Sequence, residues 1–312
     1  MRKLLTFLIA LAAIVVAVRS PVSAQGFNGG GFNVGLGPFA SGGGGLVLDG
    51  ITTGIKAAYS TRKLLTAYAG NAIQVQETTG NTTTNIGFVA NVLDTATLST
   101  FCSGKTCKVI TWYDQSGGGF NQTQGTIANA PIIYQSGAVN FINSTRPAIL
   151  FVGATPTSLA NASLSTNPVN TLFQNVVENI TNATDAAMSA PTGAGGLEFQ
   201  LQMVNTLKLT SPAVADVGLS TGTVTRGTAS VVEAQYNSTT GAFAFWIDGA
   251  SAGSGTNAMA LSAGTVNIGN DGFGDHVNGS IGEIIMYDLV GGIPSGSRTS
   301  IEANQKAYWG TP

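Results

Sequence analysis

Charge is the scarcest property of this 312-residue chain. Asp, Glu, Lys and Arg make up 9% of it, against ~25% in an ordinary soluble protein. Its 13 Lys and Arg form no basic stripe, which excludes an electrostatic nucleic-acid binder. Glu and Lys are too few to surface a helical bundle or a coiled coil. Histidine occurs once, as His276, and cysteine twice, as Cys102 and Cys107. That leaves no zinc-type ligand set. It also leaves no histidine at a recognisable spacing from Ser116, whose Gln-Ser-Gly setting lacks the Gly-x-Ser-x-Gly elbow. The glycine-rich stretches follow no strand-to-helix pattern, so no phosphate-binding loop is expected.

Long apolar runs are missing too, with one exception. Arg2 and Lys3 precede an apolar run from Leu4 to Val18, and Val22-Ser23-Ala24 offers small residues for cleavage. The run falls short of the ~20 residues that span a bilayer. Residues 1–24 are therefore expected to be a signal peptide. The mature chain is expected to be secreted or periplasmic, with no membrane attachment. Removal of that segment leaves all 15 acids against ten Lys and Arg, more acidic than the formal charge of −2 suggests. In an oxidising compartment Cys102 and Cys107, separated by a short stretch containing Gly104, are expected to form a disulfide.

Glycine is plentiful, with 42 residues. Residues 25–45 are rich in it, lack periodicity and are expected to form a flexible leader. Residues 46–312 read as one domain. Ile55 to Tyr68 could hold a short helix or turn. Alternation predicts strands at Ala72 to Glu77 and Ser230 to Tyr236. Further strands are expected at Lys108 to Tyr113, Ala148 to Val152, Glu198 to Val204, Thr265 to Ile268 and Gly282 to Tyr287. Ala242 to Asp248 followed by Gly249 signals a hairpin. On that strand Phe243, Phe245 and Ile247 share one face, and Ala242, Ala244 and Trp246 the other. Helices are expected from Asp94, as cap, to Phe101 and from Ser297 to Tyr308. Many short strands argue for an all-β sandwich with a few short helices.

Several short runs occur in a telling order. They are Ser60-Thr61-Arg62, Ala67-Tyr68, Asn81-Thr-Thr-Thr-Asn85-Ile86, Phe101-Cys102 with Thr106-Cys107, and Tyr113-Asp114-Gln115-Ser116-Gly117 followed by Thr123-Gln124. Together they resemble the catalytic domain of the α-L-arabinofuranosidase B family, glycoside hydrolase family 54. Gly282-Glu283-Ile-Ile-Met-Tyr287 and Ile301-Glu-Ala-Asn-Gln-Lys-Ala-Tyr308 resemble laminin-G/concanavalin A-like modules. The resemblance implies a concanavalin A-like jelly roll and hydrolysis of terminal α-L-arabinofuranosyl residues, with a polysaccharide or other glycan as partner.

Such hydrolysis needs two carboxyls, a proton donor and a nucleophile or base. By the resemblance, Gly269-Asn270-Asp271 stands where the family carries its acid/base, which makes Asp271 the proton donor. Gly269, Asn270 and His276 become candidate substrate-binding residues. The residues alone offer another reading, in which Asp271 and Asp275 are turn residues that accept local amides. Counting back for the nucleophile lands on Asn205 to Ser211, which contains no acid. Glu198 is the candidate taken, with Asp216 the other nearby acid. The family's adjacent cysteine pair is absent. Asp114 reads as a loop-pinning acid, with Arg62 or Arg146 as its expected partner. Trp112, Trp246 and Trp309 either stack on a sugar ring or fill the core. No cofactor is required, although Asn270, Asp271 and Asp275 could offer oxygens to a Ca²⁺ ion. On the same fold, the alternative to a hydrolase is a non-catalytic glycan-binding or adhesion module.

Overall fold

The computed structural model describes residues 46–312, apart from 154–156, 166–169, 182–183, 192–195, 212–214, 262–264 and 273. The expected signal peptide and leader, residues 1–45, lie outside the described residues. Antiparallel pairings dominate, and among the described residues helix is confined to Thr95–Phe101, Ser295–Trp309 and one 3-10 turn. The all-β expectation therefore holds. Among the described residues no helix is long and apolar enough to cross a membrane.

One half of the sandwich is built around the strand Thr171–Ile180. It pairs with Ser230–Asn237 on one side and with Gly279–Leu289 on the other. Ile55–Ser60 and Ile149–Phe151 add to the far edge of Gly279–Leu289. Ala242–Ile247 adds beyond Ser230–Asn237 and continues into Ala250–Thr256 through the expected hairpin, with Asp248 and Gly249 at positive φ. The other half runs from Ile73–Glu77 through Cys107–Trp112, Gln122–Thr123, Leu159–Ser165, Thr265–Ile268, Ala186–Pro191, Glu198–Leu201 and Thr206–Ser211 to Ala215–Thr223.

Alternation decides what each face meets. Leu172, Val176, Val232, Tyr236, Phe245, Ile284 and Met286 from the first half meet Val109, Trp112, Leu159, Phe199, Leu207, Leu209 and Ile268 from the second, in one core. Phe243 and Ile247 pack against that core beside Phe245, as their shared face requires. Trp246 points the other way, with the Arg298 guanidinium 4.6 Å from its ring. Trp112 and Trp309 are buried, so the core reading holds for both.

The outer face of the first half is also covered. The helix Ser295–Trp309 lies over it, with Ile301 packed beside Phe173 and Ile285, and Trp309 beside Val177 and Val231. Between these apolar patches runs a chain of polar contacts. Arg298 donates to Glu233 at 2.6 Å and to Glu302 at 3.0 Å. Asn175 donates to Glu233 at 3.0 Å and to Gln305 at 2.9 Å. Gln305 donates to Glu283 at 2.8 Å, and Arg62 donates to both oxygens of Glu283, at 2.7 and 3.1 Å. Burial on both faces leaves the central strands without a solvent-facing side: Thr171–Ile180 is buried at all but one position.

Two expectations are corrected here. Ile55 to Tyr68 begins as a strand, Ile55–Ser60, because its backbone pairs with Gly279–Leu289 and its Ala and Tyr side chains are buried. Asp114 pairs with neither arginine. Its oxygens accept the amides of Ala58, Ser116 and Phe120 at 2.9–3.0 Å, so it pins the loop through backbone donors. Arg62 is committed to Glu283, and Arg146 donates to the Tyr308 carbonyl at 2.7 Å. The disulfide Cys102–Cys107 is formed, joining the Asp94-capped helix to the strand Cys107–Trp112.

The two devices should differ in weight. Arg62→Met strands the buried Glu283 carboxylate and is expected to cost about 3–5 kcal/mol. Replacing both cysteines by Ala opens only a short loop and should cost about 2 kcal/mol. Urea unfolding of the two variants checks the order, and equal midpoints would refute it.

Candidate active site

The strand Thr265–Ile268 ends in a hairpin. Gly269 opens it at φ +90°, and a Cβ there would lie 2.3 Å from the Phe151 ring. Only glycine fits this approach. A bridge between Asn270 and His276 closes the hairpin, with Val277 donating to the Gly269 carbonyl at 2.9 Å. Inside the turn Asp271 Oδ1 accepts the amides of Gly274 at 3.0 Å and Asp275 at 2.9 Å. Asn270 Oδ1 accepts the Gly272 amide at 2.6 Å, and His276 Nδ1 lies 2.9 Å from the Gly274 carbonyl. Gly269, Asn270 and His276 thus shape and close the hairpin. Local amide bonding, foreseen for Asp271, accounts for one of its oxygens.

Opposite the hairpin stands the strand Glu198–Leu201. Phe199 and Leu201 point into the core, so alternation turns Glu198 and Gln200 to the outer face. The Gln200 amide nitrogen donates to Glu198 Oε1 at 2.6 Å and to Asp275 Oδ2 at 2.7 Å. Carboxylate oxygens of Glu198, Asp271 and Asp275 all lie within 4.8 Å of one another. Glu198 and Asp271, far apart in the chain, therefore share a site. Burial pushes the Glu198 carboxyl up to about 8, and the charges of Asp271 and Asp275 push the same way against the Gln200 bond. Burial also raises Asp275, with Asp271 and Asp185 adding to the effect. Three carboxyls this close do not all ionise, and the most enclosed one keeps a proton at neutral pH.

Asn205 to Ser211, where counting placed the nucleophile, forms the adjacent strand Thr206–Ser211, and its Thr210 is the register partner of Glu198. Glu198, the candidate taken instead, lies one strand earlier, across the turn at Gln202 to Asn205. Asp216 sits one strand further on, exposed, in a 2.7 Å ion pair with Lys208. It takes no part in the cluster. Asp275 was named only as a turn residue or a Ca²⁺ ligand, and Gln200 was missed. The signal available for Gln200 was its place two residues after Glu198, on the same strand face. The same three carboxyls could hold a metal ion, and several of the oxygens around them already accept N–H bonds. An N–H donor occupies the gap between Glu198 and Asp275, and one Asp271 oxygen and the Asn270 oxygen are taken by backbone amides.

Residues 47–155 match the family model of the catalytic domain of alpha-L-arabinofuranosidase B. This chain is similar to that family. A probable alpha-L-arabinofuranosidase B of Aspergillus terreus is 37% identical over 111 residues, which cover 34% of this chain and 20% of that protein. Alpha-L-arabinofuranosidase B of Aspergillus niger is 36% identical over 77 residues, 24% of this chain and 15% of that one. The chain thus matches only a fifth or less of the length of these relatives. Among solved structures, an arabinofuranosidase complexed with arabinofuranosyl-alpha-1,2-xylobiose superposes with a TM-score of 0.63 at 17% identity, over 83% of this chain and 63% of that one. A family 54 α-L-arabinofuranosidase soaked with a cyclic sulfate inhibitor gives 0.62 at 18% identity, with the same coverage. The resemblance to arabinofuranosidase B and the β-sandwich are both borne out. The family match ends before Glu198, so both clustered carboxyl segments lie beyond it.

The buried glutamates make stability depend on pH. Burial raises Glu178 to about 8, Glu198 to about 8 and Glu233 to about 7, from an ordinary 4.5. Between about 4.5 and 8 the unfolded chain releases protons that the folded chain retains, so stability falls as pH rises. Glu77, held down to about 2 first by the Gly80 amide and then by Thr82, adds no slope in that window. Thermal melts should give a higher Tm at pH 5 than at pH 8, and Glu198→Gln should flatten the difference. A Tm that rises toward pH 8 would contradict the assignment.

Proposed function

We propose that this protein is an exported glycoside hydrolase that removes terminal α-L-arabinofuranosyl residues from polysaccharides, with Asp271 as acid/base and Glu198 as nucleophile. The observation that carries the reading is the juxtaposition of these two carboxyls within 4.8 Å, one of them deeply buried. Retaining glycosidases hold their carboxyls ~5–5.5 Å apart, and inverting ones ~6.5–9.5 Å. The short spacing supports retention through a glycosyl–enzyme ester.

The charge state also suits that chemistry. One carboxyl must donate a proton while the other is ionised. In the free protein the proton rests on Glu198. A glycosidic oxygen that approaches Asp271 draws the proton across to Asp271. That transfer leaves Glu198 as the carboxylate that attacks the anomeric carbon. The C–O bond to the leaving group breaks as Asp271 delivers the proton. Asp271, now ionised, then takes a proton from water, which displaces Glu198 and restores the starting state. The hairpin amides on Asp271 Oδ1 fix which way its other oxygen can face.

The test is release of arabinose from a chromogenic α-L-arabinofuranoside and from an unactivated arabinoside. NMR of the first-formed sugar should report net retention. Asp271→Asn should lower turnover of the unactivated substrate by about 10²–10⁴-fold. The chromogenic substrate should suffer less in the first step, and azide should restore turnover with a glycosyl azide of retained configuration. Glu198→Gln should stop both reactions. Azide rescue seen instead with Glu198→Ala, giving the inverted azide, is expected for the same residue as nucleophile. Exchange of the two products between the variants would exchange the roles. A wild-type chain that binds arabinosides without cleaving any would replace the hydrolase with the glycan-binding module.

A further inference from the structure

Asp275 touches both members of the carboxyl pair by different routes. Its backbone N–H donates to Asp271 Oδ1 at 2.9 Å, and its side chain receives the Gln200 amide at 2.7 Å. The same amide nitrogen spends its second hydrogen on Glu198 Oε1 at 2.6 Å. Gln200 has little freedom to do otherwise. It is 2% exposed, its backbone pairs with Lys208 and Ala187, and its Oε1 finds no donor among the described residues. Both amide hydrogens on carboxyl oxygens is the arrangement that repays this burial, since it leaves neither buried donor unmade.

We propose that Gln200 and Asp275 are a positioning pair for the catalytic carboxyls: the Gln200 amide clamps Glu198 to the Asp275 hairpin, and Asp275 sets a like charge beside Glu198 and Asp271. This rests on the hydrolase reading and adds to it two residues that the two-carboxyl mechanism does not use. The surroundings fit. From the hairpin the cluster meets Asp271 and Asp275, with His276 closing the turn. From the neighbouring strand it meets Lys208, whose ammonium is engaged by Asp216 at 2.7 Å. Asp185, which accepts the Met203 amide at 2.6 Å, adds negative potential at Asp275. Acids outnumber cations around Glu198, so removing one acid and removing the clamping donor must act in opposite directions.

That opposition is the test. Two substitutions of similar shape, Asp275→Asn and Gln200→Met, are compared with wild type in the pH profile of kcat/KM for a chromogenic arabinofuranoside. Asp275→Asn removes a like charge and should move the alkaline limb down by about one pH unit. Gln200→Met removes a donor that favours the ionised form and should move it up by a similar amount. A purely structural role would lower activity at every pH and move neither limb. A ¹³C NMR titration of the Glu198 carboxyl, assigned through Glu198→Gln, reads the same shifts without activity. Opposite shifts in both measurements establish the pair. An active wild type whose variants keep the wild-type limb and titration overturns it and leaves the hydrolase reading intact. Opposite NMR shifts in a chain that cleaves no arabinofuranoside would keep the clamp and remove the hydrolase reading.

Discussion

The carboxylate of Glu283 is the point on which the outer half of the molecule is hung. It accepts hydrogen bonds from Nε and Nη2 of Arg62, the Ser60 hydroxyl at 3.0 Å, the Gln305 amide at 2.8 Å and the Trp309 indole at 3.4 Å. These donors come from the first strand of the domain, the turn after it and the last helix. Burial of so many polar atoms brings little net stability over a well-packed apolar seam. What it brings is uniqueness. An apolar helix face can slide along an apolar sheet, whereas a helix bearing Arg298, Gln305 and Trp309 satisfies Glu233, Asn175 and Glu283 in one register only. Arg62 and Arg146 extend the lock by stacking on Tyr308, with guanidinium carbons 4.5 and 4.2 Å from its ring centroid.

The two halves of the sandwich therefore carry different labours. The half under the helix is buried on both sides and fixed by charge pairs and amide bonds. The half bearing Glu198–Leu201 turns Phe199, Leu201, Leu207 and Leu209 into the core and carries the buried Glu198 and Gln200 on its other side. Glu198 is held in register by the strand Thr206–Ser211. Asp271 and Asp275 are held by a hairpin that fixes its own shape. The site arises where a rigid strand meets that turn, and Gln200 is the contact between them.

Much of this was legible in the residues. Alternation along Ser230 to Tyr236 and Ala242 to Asp248 marked their strands and inward faces. Asp94 marked a helix start, and the motifs around Cys102, Cys107 and Tyr113 marked the family likeness. The strand Thr171–Ile180 escaped notice because burial on both faces erases the alternation that identifies a strand. Ile55–Ser60 escaped because its strand character comes from the pairing with Gly279–Leu289, a partner far away in sequence. Glu198 could be named but not placed, since spacing alone cannot say that a hairpin returns the next strand beside it. Asp275 read only as a turn residue or a cation ligand, and Gln200 as a strand residue, until the fold brought them together around Glu198.

One pairing has a meaning for how the domain can be divided. The stretch that matches the arabinofuranosidase model, residues 47–155, contributes Ile55–Ser60 and Ile149–Phe151, and both lie against Gly279–Leu289 at the other end of the chain. Phe151 in turn forms the floor beneath Gly269. The limit of recognisable likeness is thus not a seam of folding. Excision of the matched stretch would yield a fragment with open strand edges, and recombination at its boundary would exchange half a sheet. Whatever change has accumulated beyond that boundary had to do so within a scaffold whose two ends share a strand.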